Sequence, residues 1–340
     1  MGKYFTERER YKLEAYLDAG LPKAEIARRL GKSRQTIYNE IKRGTVVQMD
    51  TYLEKYKVYK ADAAQRVASF NQSAKGRPYK LGSDYALAGF IEDKVLNEKW
   101  SPAAVAGYVR NHKMFSVTLC HKTLYNYIHS GLFLHLTPKK LRKYRYGRKH
   151  MDFVRVAKNN AVCQSIEERP KDIKYREDAG HWEMDTVVSC KGGSGCLLVM
   201  TERKTRYEII RKIRHKSQKD VKRALDGLPL SGSQFAHIFK PITVDNGNEF
   251  LDADGIQCDS SGSRRTELYY CHPYASWERG SNENLNRMIR RWIPKGTDIS
   301  KVPDSFISYV QHWINTFPRG IFGYRSAYDM MKEEGLSFPV

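Results

Sequence analysis

Acidic residues are missing from one long stretch of this 340-residue chain: none stands between Glu98 and Asp152. Long apolar runs are missing too; none approaches the ~20 residues of a bilayer span. The start, Met1-Gly2-Lys3-Tyr4-Phe5-Thr6-Glu7, lacks the apolar segment of a secretory signal. Cysteine is sparse, six in all, with no CxxC pair and no framework spacing. These absences argue against a membrane partner and a disulfide scaffold, and they lead us to expect a cytoplasmic protein with reduced thiols. Cys258, Cys271 and His272 could in principle ligate zinc, but their spacing is not that of a zinc motif. No repeat of solenoid period is present.

What is there is positive charge. The chain holds 59 Lys+Arg against 38 Asp+Glu, a formal +21 with 41% apolar residues, so it can bury a core and still carry a polyanion-binding surface. The excess is uneven. Residues 1–150 hold 30 basic and 13 acidic side chains (+17), whereas residues 151–340 hold 29 and 25 (+4). The amino-terminal half is therefore the expected binding half.

Within it, Thr6 with Glu9 three residues on reads as the capped start of a helix that Gly20 ends. Pro22 opens a second helix closed by Gly31, and Ser33 caps a third running to Lys42. Ala27, Gly31 and Ile37 supply what a helix-turn-helix needs: a small residue at the crossing, a glycine for the left-handed turn, and an aliphatic anchor on the second helix. Arg34, Gln35, Tyr38, Asn39 and Lys42 then fall on the exposed side of a recognition helix, and Arg, Gln and Asn can pair bidentately with guanine or adenine. The alternative is an ordinary three-helix subdomain with a solvated face.

A polar linker marked by Gly76 and Pro78 follows. Helices are expected over 84–98, from Ser101-Pro102 onward and over 121–130, with a short strand at 115–119; together they suggest a second, winged or irregular helix-turn-helix, or else a plain helical packing unit. The segment Pro138 to Lys149 then concentrates cations. Lys139, Lys140, Arg142, Lys143 and Arg145 can neutralise successive phosphates, with Tyr144 and Tyr146 available for stacking.

From Glu183 the pattern changes to strands: 184–190, 196–201, 207–213, 242–244 and 268–270, with helices over 217–228 and 281–292, a mixed α/β order. Asp185 lies inside the first of these strands, Asp245 ends the fourth, and Glu283 opens the last helix. An Asp in an apolar strand is costly unless it is paired or binds a cation. Two of them on neighbouring strands beneath a helical Glu form an all-oxygen set suited to Mg²⁺ or Mn²⁺, and two such ions could serve phosphodiester chemistry. Arg287 and Arg290 share the face of Glu283 at i+4 and i+7, where they could contact phosphates; Glu283 with Arg287 alone would be a surface ion pair.

The runs Gly180-His181-Trp182-Glu183-Met184-Asp185-Thr186, Asp245-Asn246-Gly247-Asn248-Glu249-Phe250 and His272-Pro273-Tyr274-Ala275-Ser276-Trp277-Glu278-Arg279-Gly280-Ser281-Asn282-Glu283-Asn284 resemble those of the IS-thirty family of bacterial insertion-sequence transposases. Pro294-Lys295-Gly296-Thr297-Asp298, Asn315-Thr316-Phe317-Pro318-Arg319 and Gly323-Tyr324-Arg325 extend the resemblance, as does the amino-terminal helix-turn-helix, so that it covers nearly the whole chain.

The resemblance implies an α/β catalytic core of RNase H-like, retroviral-integrase-like type, a mixed five-stranded sheet with helices, preceded by all-α helix-turn-helix domains. It implies an Asp-Asp-Glu triad (Asp185, Asp245, Glu283) with Mg²⁺ or Mn²⁺, two ions in all. It further implies cleavage at terminal inverted repeats, strand transfer into target DNA, and a homodimer or higher oligomer on double-stranded DNA. The expected division is helix-turn-helix 1–48, linker 49–80, second helix-turn-helix 81–136, basic linker 137–175 and catalytic core 176–340.

Two departures stand out: Met184 where the family often has glycine, and a longer interval before Glu283, with the extra residues expected as a loop over 252–265. That interval makes Glu278 a rival third ligand. The helical setting of Glu283 and its Asn282-Glu283-Asn284 context favour Glu283, with Glu278 in support. Two other functions stay open at this level: a repressor with a degenerate catalytic domain, and a metal-dependent nuclease without strand transfer.

Overall fold

The computed structural model describes residues 4–73, 79–82, 84–141, 164–170, 173, 175–272, 280–336 and 338. The chain divides into two compact units, Met1–Gly82 and Ser83–Val340.

In the first unit, α1 (Glu7–Asp18) starts at the expected capping box of Thr6 and Glu9. Next come α2 (Lys23–Leu30), Gly31 in the left-handed region at φ 61°, and α3 (Arg34–Gly44) capped by Ser33. Leu13, Ile26 and Ile37 are fully buried where the three helices meet. Beneath them Arg10 pairs with Glu40 at 2.7 Å, both buried, and this pair fixes α1 against α3.

The expected linker over 49–80 is corrected. A hairpin, β1 (Thr45–Met49) and β2 (Lys55–Tyr59), and a helix, α4 (Ala61–Ser73), occupy most of it. Sequence pattern conceals both. β1 alternates only between exposed and half-buried positions, its Thr-Val-Val-Gln-Met run carries no apolar alternation to match, and α4 buries only the small side chains Ala61, Ala63 and Ala64. Gly44 lies so close to Tyr59 that a Cβ there would sit 2.4 Å from its ring, which accounts for the glycine at the helix-to-hairpin junction.

The second unit opens with α5 (Tyr85–Leu96), α6 (Pro102–His112) and α7 (His121–His129). The strand expected at 115–119 does not form. Its alternating residues serve helix packing instead: Phe115 tilts against Phe90 with ring centroids 5.5 Å apart, and Leu119 is buried just before α7. These helices rest on the carboxyl-terminal part of the same unit. The Trp313 indole donates to the Glu98 carbonyl (2.8 Å), Lys99 stands 4.0 Å over the Trp292 ring, and a Cβ on Gly107 would meet the Tyr324 ring at 2.0 Å. Of the basic segment, Pro138–Lys140 forms a single 3-10 turn with Lys139 and Lys140 exposed; Arg142, Lys143 and Arg145 lie outside the described residues.

The sheet comprises β3 (Trp182–Val188), β4 (Cys196–Glu202), β5 (Glu208–Ile213), β6 (Pro241–Val244) and β7 (Glu267–Tyr270) in the order β5-β4-β3-β6-β7. The first three are antiparallel, and β3, β6 and β7 are parallel, the mixed five-stranded arrangement expected. Strand alternation sends Trp182, Met184, Leu198, Met200 and Ile209 into the main core with α8 (Gln218–Asp226) and α9 (Gly232–Ile238). The opposite face packs against α11 (Gly280–Ile289) and α12 (Asp304–Thr316). The loop expected over 252–265 contains a short helix, α10 (Ala253–Gln257), and a turn in which Asp259 accepts the Ser261 and Ser263 backbone N–H groups.

Under α11 and α12 runs a buried polar row, Thr243-Glu183-Thr201-Glu208, one residue from each of four neighbouring strands. Glu208 accepts from the Thr201 hydroxyl at 2.8 Å, and burial pushes its carboxyl up from 4.5 to about 8, against the pull of Thr201 and Arg319. Between those two values the unfolded chain releases this proton while the folded protein keeps it, so stability falls as pH rises through that window. Chemical denaturation of Glu208→Gln across the same range should show a curve that gains on wild type with each step toward pH 8. Parallel curves would mean that Glu208 is ionised in the folded protein.

Candidate active site

Because β3 alternates, Glu183 and Asp185 both face α11 while Trp182 and Met184 face the core. The parallel ladder to β6 pairs Trp182 with Ile242 and Glu183 with Thr243. Continuing that register by two residues brings Asp185 level with Asp245, the first residue beyond β6. Both carboxylates are half-buried, Asp185 in the middle of β3 and Asp245 just past the carboxyl end of the adjacent β6.

Local hydrogen bonds orient each of them. Asp185 accepts from the Thr186 backbone N–H (2.9 Å) and, through its other oxygen, from the Asn286 side-chain amide of α11 (2.8 Å). Asp245 accepts from the Gly247 N–H at 3.1 Å, a tight turn that returns the chain over the strand end. Gly247 packs tightly against both carboxylates: a Cβ there would lie 2.5 Å from a Glu249 oxygen and 2.9 Å from an Asp245 oxygen, so a larger residue would have to displace them. Glu249 is itself buried, accepting from the Thr186 hydroxyl (2.8 Å) and ion-paired to Lys216 (3.1 Å). Asp185, Asp245 and Glu249 thus lie close together, with Lys216 against Glu249.

Helix α11 is held over this region from below. Leu285, Met288 and Ile289 are buried. At its amino end the Asn282 backbone N–H donates to Glu183 (3.3 Å), the Ser281 hydroxyl accepts from Arg206, and Glu183 is paired with Arg203 at 2.8 Å. Glu183 therefore satisfies an orphan amide of the helix as well as a guanidinium, although it lies on a strand.

Glu283 is exposed on the neighbouring helix face and engages Arg287, the i,i+4 pair the spacing allows. Among the described residues, no three His, Cys, Asp or Glu side chains are gathered closely enough to hold a metal ion. The all-oxygen character of Asp185 and Asp245, half-buried with Glu249 alongside, nevertheless suits a hard divalent cation. Arg290 donates to the carbonyls of Val188 (2.9 Å), Ile293 and Pro294, tying the end of α11 to the end of β3. Glu278 lies outside the described residues.

In the first unit, Arg34, Gln35, Tyr38, Asn39 and Lys42 are all exposed along α3. The Gln35 amide donates to Asn39 (3.1 Å), and Lys23 stands 4.7 Å over the Tyr38 ring.

Residues 1–44 match a helix-turn-helix domain family. Over nearly its whole length the chain is similar to named transposases. It is 34% identical to the "Probable transposase for insertion-like sequence element IS1161" of Streptococcus salivarius, over 96% of this chain and 93% of that one. It is 31% identical to the transposase for insertion sequence element IS4351 of Bacteroides fragilis (98% and 97%) and 30% identical to transposase InsI for insertion sequence element IS30C of Escherichia coli K12 (97% and 83%). Among solved structures, the catalytic core domain of BIV integrase aligns at 16% identity and a TM-score of 0.35, covering 46% of this chain and 95% of that one. The chain belongs to the insertion-sequence transposase family. No described helix is long and apolar enough to cross a membrane.

The contributions of Glu183, Glu249 and Asn286 went unassigned in the sequence. Each stands beside a recognised residue, but only the fold reveals what it touches. Removing one partner of a buried pair costs about 3–5 kcal/mol, whereas replacing both is far milder. In denaturant titrations, Arg203→Met should lose stability on that scale, and the double variant Glu183→Gln/Arg203→Met should recover most of it. Equal losses in the two would show that Glu183 does not depend on Arg203.

Proposed function

We propose that the protein cuts DNA at the terminal inverted repeats of an insertion sequence and joins the cut ends to target DNA, using Asp185, Asp245 and Glu283 as its Asp-Asp-Glu triad. The observation that carries this reading is the β3–β6 register, whose continuation sets Asp185 level with Asp245, beneath a helix whose Asn286 bonds Asp185. Asp185 and Asp245, with Glu283 from α11, would hold Mg²⁺ or Mn²⁺, which supplies charge neutralisation and activation of an attacking hydroxyl in phosphodiester chemistry.

The chain's own residues set up that site. Asn286 and the Thr186 N–H orient the Asp185 oxygens, the Gly247 turn orients Asp245, and Glu249 with Lys216 fixes Thr186 beside them. Arg287 holds Glu283 at the helix surface until a ligand draws its carboxylate away. In the first unit, Arg34, Gln35 and Asn39 serve as base readers and Tyr38 and Lys42 as flanking contacts; in the second, Lys139 and Lys140 contact phosphates. Two protomers, one per element end, fit the joining reaction.

Labelled terminal-repeat duplexes with Mg²⁺ test the reading. Asp185→Asn and Asp245→Asn should each abolish cutting with repeat binding intact, since the readers lie in the other unit. Glu283→Gln should do the same, while Glu278→Gln keeps measurable activity. Cutting without joining in wild type would make the protein a nuclease, and loss of repeat binding in the Asp variants would assign those residues a structural role.

A further inference from the structure

We propose that an arginine-lined cavity at the start of α11, beside the triad and apart from it, binds a backbone phosphate of the DNA substrate. This rests on the transposase reading above and adds a contact to it. The cavity encloses about 460 Å³, and Arg176, Arg206, Arg291 and Arg319 line it together with Gly280 and Ser281, the first residues of α11. No Asp or Glu is among its described lining residues.

Four guanidiniums around one space repel each other unless an anion joins them. The carboxylates whose fields reach Arg176 and Arg206 are Glu183 and Glu202, and both are committed elsewhere. Glu183 is paired with Arg203, and Glu202 accepts the backbone N–H groups of Gly180, His181 and Thr205. Arg319 is almost completely buried, gives one nitrogen to the Ile314 carbonyl, and leaves its Nε without a partner. Burial, with neighbouring arginines adding to it, outweighs the pull of Glu183 and Glu202 on Arg206 and of the buried Glu208 on Arg319, and draws both guanidiniums down to about 10. Cationic groups destabilised in this way are stabilised by a multiply accepting anion. A phosphodiester supplies the charge and the oxygens, guanidiniums match it geometrically, and the first turn of a helix adds N–H groups of the same polarity. Glu283 occupies the next part of the same helix, so a phosphate seated here would fix the DNA backbone relative to the triad.

Binding of the full-length protein to labelled duplexes over a salt series reads this directly. Each phosphate contact contributes about 0.9 to the slope of log affinity against log salt. Arg176→Gln and Arg206→Gln should each lower that slope by about one, equally for terminal-repeat and random duplexes, and Arg176→Lys should restore it. Unchanged slopes in both glutamine variants would overturn the proposal. So would a cavity that serves only free phosphate, seen as stabilisation of wild type by inorganic phosphate that Arg176→Gln abolishes while the DNA slope stays fixed. A wild type that neither cuts nor joins repeat DNA would instead sink the transposase reading, which these slopes do not measure.

Discussion

A carboxylate with no access to solvent organises the part of the second unit where α11 meets β3. Glu183 sits on β3, two residues before Asp185, and spends one oxygen on Arg203 and the other on the first turn of α11. A buried charge is tolerable only with such partners. Given that requirement, strand, helix and arginine are tied together: shifting α11 would break the Asn282 N–H bond to Glu183 and leave one of its buried oxygens without that donor. Asp185 and Asn286, one pleat and one turn further along, inherit their mutual placement from it.

The same economy of charge recurs along the polar row beneath α11 and α12. Burial pushes the Glu208 carboxyl up to about 8, and Asn315 bonds its backbone on both sides, donating to the carbonyl and accepting from the N–H. Carboxylates further from solvent are held by pairing, by hydrogen bonds or by a raised pKa, while Asp185 and Asp245 stay half-buried. Arginine follows the opposite pattern. It lines the cavity at the start of α11, where no Asp or Glu is among the described lining residues.

Much of this could be read from residue order, because the informative features are local. Caps, the Gly31 turn, apolar strands and the acidic positions within motifs each depend on a few neighbours. The failures are also physical. The β1–β2 hairpin and α4 bury too little apolar surface to leave a period, and the alternation at 115–119 reports packing on Phe90 rather than a strand. Glu183, Glu249 and Asn286 take their roles from partners twenty to a hundred residues away, Arg203, Thr186, Lys216 and Asp185 among them, which no spacing within one element reveals.

The central claim, that β3, the end of β6 and α11 build one cation-dependent centre, is tested most directly by diffraction from crystals grown with Mn²⁺ and repeat DNA, with data collected at the manganese edge. The anomalous signal should lie between Asp185 and Asp245, with the Glu283 carboxylate turned from Arg287 toward it. Manganese bound away from these two aspartates, or Glu278 in the place assigned to Glu283, would contradict it.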